Sequence, residues 1–132
     1  MKELTDSTCI RTDVDASTLQ ELRRDALQNS DIIALSSLMK AVGNETRLRI
    51  LYVLWKAEEL CVCDLSDIFG ISQPAISRHL KIMREKALVQ SRREAQTLFH
   101  SIYTDSPFAE MLIRVFEEQE LAGITLSMDS AV

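Results

Sequence analysis

The chain has 132 residues, 46% hydrophobic and 27% charged, with a formal net charge of −5, three glycines, two prolines and three cysteines. This fits one domain with its own core and excludes wholesale disorder, and so few glycines and prolines make turn-rich β-sandwiches and barrels poor candidates. No apolar run approaches the roughly 18–20 residues of a membrane span, and the start MKELTDSTCIRTDVD is too polar and acidic for a secretory signal, so a cytoplasmic protein with no membrane partner is expected.

The expected elements are mostly helices. Residues 1–16 are polar and read as a flexible N-terminal arm, residues 17–123 as the folded domain, and residues 124–132 as a short tail. Ser17 or Thr18 can cap a first helix to about Gln28, with Leu19, Leu22 and Ala26 on one face. Asp31 is the expected cap of a second, where Ile32, Leu35, Leu38, Met39 and Val42 recur at helical spacing before Gly43. Asn44 opens a third, through Leu48, Leu51, Leu54 and Trp55 to about Ala57. A short fourth, about Cys63–Phe69, stops at Gly70. Ser72 caps a fifth, with Pro74 in its first turn, extending to about Lys86. The hydrophobic period then shortens to two: LVQSRR and TLFHSIY predict two strands joined through Glu94, Ala95 and Gln96. Ser106 caps a last helix with Pro107 at its first position.

Helix, tight turn at Gly70-Ile71-Ser72, helix, then hairpin is the order of a winged helix-turn-helix: a mostly α fold with a small β-hairpin. In the fifth helix Ile76, Leu80, Met83 and Ala87 form the expected core stripe, leaving Gln73, Ser77, Arg78, Lys81 and Arg84 on the other side. Gln73, Ser77 and Arg78 lie where side chains reach base edges of double-stranded DNA. Lys81 and Arg84, with Arg92 and Arg93 at the expected hairpin tip, suit phosphate. The net charge hides this polarity. Residues 72–102 carry six Lys/Arg against two Asp/Glu, while residues 1–71 balance at −4 and residues 103–132 at −5.

ELCVCDL at 59–65 and SQPAISRHLKIMRE at 72–85 make the chain resemble the ArsR/SmtB family of metal-sensing repressors over about residues 34–121. The resemblance implies a winged-helix homodimer that binds operator DNA when metal-free and releases it when metal binds. It also implies that the helix from Ser72 is the recognition helix, that Phe99 lies in the wing, and that the first and last helices form the dimer interface. Leu19, Leu22, Phe108, Met111, Leu112, Val115 and Phe116 are the apolar residues that suit such an interface.

The cysteines set a geometric condition. Residues i and i+2 of a helix point about 200° apart, so Cys61 and Cys63 can share an ion only if Cys61 precedes the helix and Cys63 sits in its first turn. A helix N-terminus also favours the thiolate. Soft ions bound by thiolates generally take a third donor. Where arsenic-responsive members often carry another cysteine this chain has Ser66. Cys9 resembles the first arm cysteine of cadmium- and lead-responsive members, with Asp13 where the second would stand. The expectation is a three-thiolate site of Cys9, Cys61 and Cys63, with Asp13 or Asp64 as oxygen neighbours, taking Pb(II), Cd(II), Hg(II), As(III) or Sb(III) as inducer. The family's zinc- or cobalt-type site keeps Asp105, but Pro107 and Glu118 replace its histidines.

His79 reads as a packed or phosphate-facing residue, His100 as a wing-strand residue, and Tyr52 and Trp55 as core. The same cysteines could instead serve a thiol-redox or persulfide switch. No phosphate loop, nucleophile elbow or C-x-x-C motif is present, so an enzyme is not expected.

Overall fold

The computed structural model describes residues 13–121, so Cys9 and the tail at 124–132 lie outside the described residues. The chain divides into two compact units, residues 1–39 and residues 40–132.

In the first unit, α1 spans Ala16–Gln28 and α2 begins at Ser30, running to Val42 in the second. Both expected caps shift by a few residues. Asp15, rather than Ser17 or Thr18, caps α1 by accepting the Thr18 N–H at 2.8 Å, and that bond holds its carboxyl below the ordinary value. Asn29, rather than Asp31, caps α2, accepting the N–H groups of Asp31 at 2.9 Å and Ile32 at 3.3 Å. The residue preceding a helix has extended dihedrals that aim its side chain back at the free amides, and Asp31, already inside the first turn, cannot do this. Asp31 still complements the helix dipole there.

The second unit holds the core. Asn44 caps α3 (Glu45–Ala57), whose Ile50, Leu51 and Leu54 are buried. Strand β1 is two residues, Leu60–Cys61, followed by α4 (Val62–Phe69) with Leu65 buried. Helix α5 (Gln73–Glu85) buries Ile76, Leu80 and Met83. The expected fourth member of that stripe, Ala87, is exposed, since the helix has ended and Ala87 adopts φ 55°. Its left-handed turn lets the Leu88 N–H reach the Met83 carbonyl at 2.9 Å, and Leu88 takes the core position.

Strands β2 (Val89–Glu94) and β3 (Thr97–Ile102) form the hairpin, with Glu94 paired to Thr97 and a two-residue turn at Ala95-Gln96. The sheet has three antiparallel strands in the order β1-β3-β2. Helix α6 (Pro107–Leu121) buries Ala109 and Phe116. The architecture is a winged helix-turn-helix, mostly helical as expected, with β1 added. No helix among the described residues is long and apolar enough to cross a membrane.

Candidate nucleic-acid interface and thiol pair

The turn between α4 and α5 is built by local chemistry. Gly70 takes φ 64° and donates its N–H to the Ser66 carbonyl at 2.9 Å, while Ile71 donates to the same carbonyl at 3.3 Å. The Ser66 hydroxyl donates to the Ile71 carbonyl and so staples the turn. Ser72 then caps α5, accepting the Ala75 N–H at 3.3 Å, and Pro74 sits in the first turn where no amide partner is needed.

With Ile76, Leu80 and Met83 buried, the opposite face of α5 presents Gln73, Ser77, Arg78, Lys81 and Arg84, all exposed. Among the described residues Arg78, Lys81, Arg84 and Arg93 carry no salt bridge. Arg92 differs. Its Nε and Nη2 donate to the two Glu59 oxygens at 2.6 and 2.8 Å, its Nη1 donates to Glu94 at 3.0 Å, and its guanidinium lies 4.9 Å over the Phe99 ring. Arg92 and Arg93 are expected at the hairpin tip; the tip is Ala95-Gln96, and alternation places the two arginines on opposite faces of β2.

On α5, His79 Nδ1 lies 3.3 Å from Arg47 Nη1, and Arg47 Nε donates to the Ala41 carbonyl at 2.6 Å. His79 is half-buried as expected of a packed residue, and burial, then Arg47 and Arg78, depress its pKa. The role of Arg47 has no sequence signal, because its partner is 32 residues away.

Cys61 occupies the N-cap of α4 in extended conformation, and Cys63 is the second residue of its first turn. The geometric condition for joint ligation is therefore met. A capping box holds the junction: the Cys61 sulfur accepts the Asp64 N–H, and the Cys61 N–H donates back to the Asp64 carboxylate at 3.4 Å. Cys61 is half-buried and Cys63 exposed. The expected thiolate stabilisation at Cys61 is corrected. The Asp64 N–H does favour the anion, but desolvation and the Asp64 carboxylate outweigh it, and the Cys61 pKa is raised. Among the described residues no three His, Cys, Asp or Glu side chains converge as a ligand set.

Phe116 is a second correction. It is only 4% exposed and stacks within its own chain, so it is core rather than a surface for a partner. Met111 (48% exposed), Val115 (43%) and Leu22 (57%) remain apolar and open, with Leu19, Phe108 and Leu112 intermediate.

Sequence reasoning missed one further residue, Glu59, and placed His100 on a wing strand, where it lies, without foreseeing its burial. Glu59 reads as part of a connection, yet it holds Arg92. His100 is 2% exposed with neither ring nitrogen hydrogen-bonded, between Leu60 of β1 and Ser91 of β2. Burial, then Arg84, lowers its pKa, so it is held neutral.

Comparison with known proteins agrees with this geometry. A family model described as "Bacterial regulatory protein, arsR family" matches residues 44–91. The arsenic resistance transcriptional regulator ArsR1 of Pseudomonas putida is 32% identical over 77 residues, 58% of this chain and 60% of that protein's length. The cadmium resistance transcriptional regulatory protein CadC homolog of Staphylococcus aureus is 26% identical over 122 residues, 92% of this chain and 99% of that one. The solved structure of HlyU from Vibrio cholerae superposes with a TM-score of 0.61 at 36% identity, covering 68% of this chain and 95% of that one.

Proposed function

Since the chain belongs to the ArsR family of DNA-binding bacterial transcription regulators, which are not enzymes, we propose that it is a cytoplasmic, homodimeric, metal- or metalloid-responsive repressor. It binds operator DNA without metal and leaves it when Pb(II), Cd(II), Hg(II), As(III) or Sb(III) is bound by thiolates. The observation that carries this reading is the placement of Cys61 and Cys63 across the N-terminus of α4, one turn-linked helix away from α5.

Cys61 and Cys63 would hold the ion, with Cys9 of the arm as third sulfur and Asp13 or Asp64 as oxygen neighbours. The relatives named for arsenic and cadmium resistance support this chemistry. Such an ion displaces the thiol protons, so a raised pKa at Cys61 makes binding weaken with acidity without preventing it.

Gln73, Ser77 and Arg78 read bases in the major groove, while Lys81, Arg84 and Arg93 hold phosphate. The exposed apolar residues of α1 and α6 form the dimer contact, so the operator has two half-sites about one helical turn apart. The test is to titrate reduced protein on its operator with Pb(II), Cd(II), Hg(II), As(III) and Zn(II), following thiolate charge-transfer absorption and DNA release together. A soft ion that produces both supports the reading; release by none of them refutes it.

A further inference from the structure

Three strands place the thiol pair and the wing in one row. Cys61 of β1 pairs with Phe99 of β3, and Phe99 pairs with Arg92 of β2. Directly opposed residues share a face of a sheet, so these three side chains lie side by side. The Arg92 guanidinium covers the Phe99 ring at 4.9 Å and reaches past it to Glu59, two residues before Cys61, with both carboxylate oxygens engaged. The segment that opens the thiol site is thus clamped to the far strand of the hairpin.

We propose that Glu59 and Arg92 are positioning residues that transmit ion binding at Cys61 and Cys63 into the wing. This rests on the metal-responsive reading above and adds the route by which the wing responds. An ion that takes the Cys61 sulfur competes with the Asp64 N–H that now holds it, and so disturbs the β1–α4 junction. Main-chain pairing of β1 with β3 and the bidentate Glu59–Arg92 contact oblige the hairpin to follow. Arg92 and Glu59 are 51% and 35% exposed in their side chains, so the pair adds little to folding stability. Its bidentate geometry fixes direction instead. With three donor nitrogens on carboxylates, Arg92 is a strut of the wing rather than a phosphate contact, and Arg93 on the opposite face serves that role.

The experiment compares the full-length wild type with Glu59→Gln, in separate titrations with Pb(II), Cd(II), Hg(II) and As(III). The variant should keep operator affinity without ion to within about twofold and keep the ion stoichiometry read from charge-transfer absorption. Its ion-induced release should shrink, within the factor of about 2 to 30 that coupling residues command. In the wild type, the NMR signal of the Arg92 Nε–H should shift in step with thiol occupancy by Cd(II). A static Arg92 signal overturns the proposal even if Glu59→Gln folds poorly, and so does equal release from both proteins. If no ion releases the wild type, the metal-responsive reading itself fails and this inference falls with it.

Discussion

Phe116 of α6 lies against Trp55 of α3, ring centroids 5.6 Å apart and planes 27° from parallel, while Tyr52 meets the Phe116 ring edge-on at 5.5 Å. The cluster ties α6 to α3 within one chain, with Lys56 and Tyr52 both reaching Glu120 one turn further on. Phe116→Ala should therefore destabilise the fold itself by about 3–5 kcal/mol, seen in denaturant unfolding followed by Trp55 emission. Met111→Glu with Val115→Glu should leave that transition close to the wild type but dissociate the dimer in sedimentation. A Phe116→Ala protein of unchanged stability would return the residue to the interface.

The two neighbouring arginines of β2 should behave differently on DNA. Arg93→Ala, like Lys81→Ala or Arg84→Ala, should weaken specific and non-specific binding alike and lower the salt slope by about one unit. Arg92→Ala should leave that slope unchanged, because Glu59 and Glu94 already offset its charge. Removing Arg78 should instead cost about 1–3 kcal/mol on the cognate operator and relax discrimination at one base pair. Salt-dependent anisotropy on operator and scrambled duplexes checks all of these.

Cys63 is exposed and lies in α4, outside the Gln73–Arg84 row of α5. Cys63→Ser should keep ion-free operator affinity within about twofold and abolish release by the inducing ion, since coupling needs only a difference in ion affinity between free and DNA-bound forms. Loss of DNA binding in Cys63→Ser without ion would make the residue structural. Cys9→Ser should weaken the charge-transfer bands of the ion complex; bands of full strength would remove Cys9 from the ligand set.

His100 predicts an acid sensitivity. Its folded pKa lies below the ordinary 6.5, with burial as the first cause and Arg84 as the second. The unfolded chain therefore takes up a proton that the folded chain refuses. Stability is fully present above about pH 6.5 and declines as pH falls through the window below it, with a slope of up to about 1.4 kcal/mol per pH unit for one proton. His79, shifted the same way, adds to this decline. His100→Leu removes two unbonded nitrogens from the core and should flatten the profile without lowering stability at pH 7. Chemical denaturation at pH 5, 6, 7 and 8 tests it, and an unchanged profile in the variant would refute it.

Two backbone positions carry reciprocal expectations. Gly70 has φ 64° with open space where a Cβ would stand, so Gly70→Ala pays only the backbone term, about 1 kcal/mol. Ala95, at φ 55° in the two-residue hairpin turn, is an alanine where a primed turn favours glycine. Ala95→Gly should raise stability by about 0.5–1 kcal/mol, measured as a shift of the unfolding midpoint. Opposite signs are expected for the two substitutions; the same sign for both would refute this account.

Local chemistry was enough to specify most of the winged helix. Ser72, Pro74 and the Ile76–Leu80–Met83 spacing define the start and buried face of α5, and therefore also the exposed row from Gln73 to Arg84. Gly70 marks the turn, and the placement of Cys61 before α4 follows from where that helix can begin. These features depend on residues within one or two turns of each other, where spacing and capping dominate. Other features were decided only when distant segments met. Strand β1 is too short for any period to show and exists because β3 supplies its partners. An apolar stripe on α6 reads alike for a core and for an interface until Trp55, 61 residues earlier, divides Phe116 from Met111 and Val115. Arg92 is a free cation in sequence and a clamped one in the fold, because Glu59 lies 33 residues away. Burial of His100 likewise depends on three strands and the helices packed on them, and burial is a property of the assembled fold rather than of any local stretch of chain.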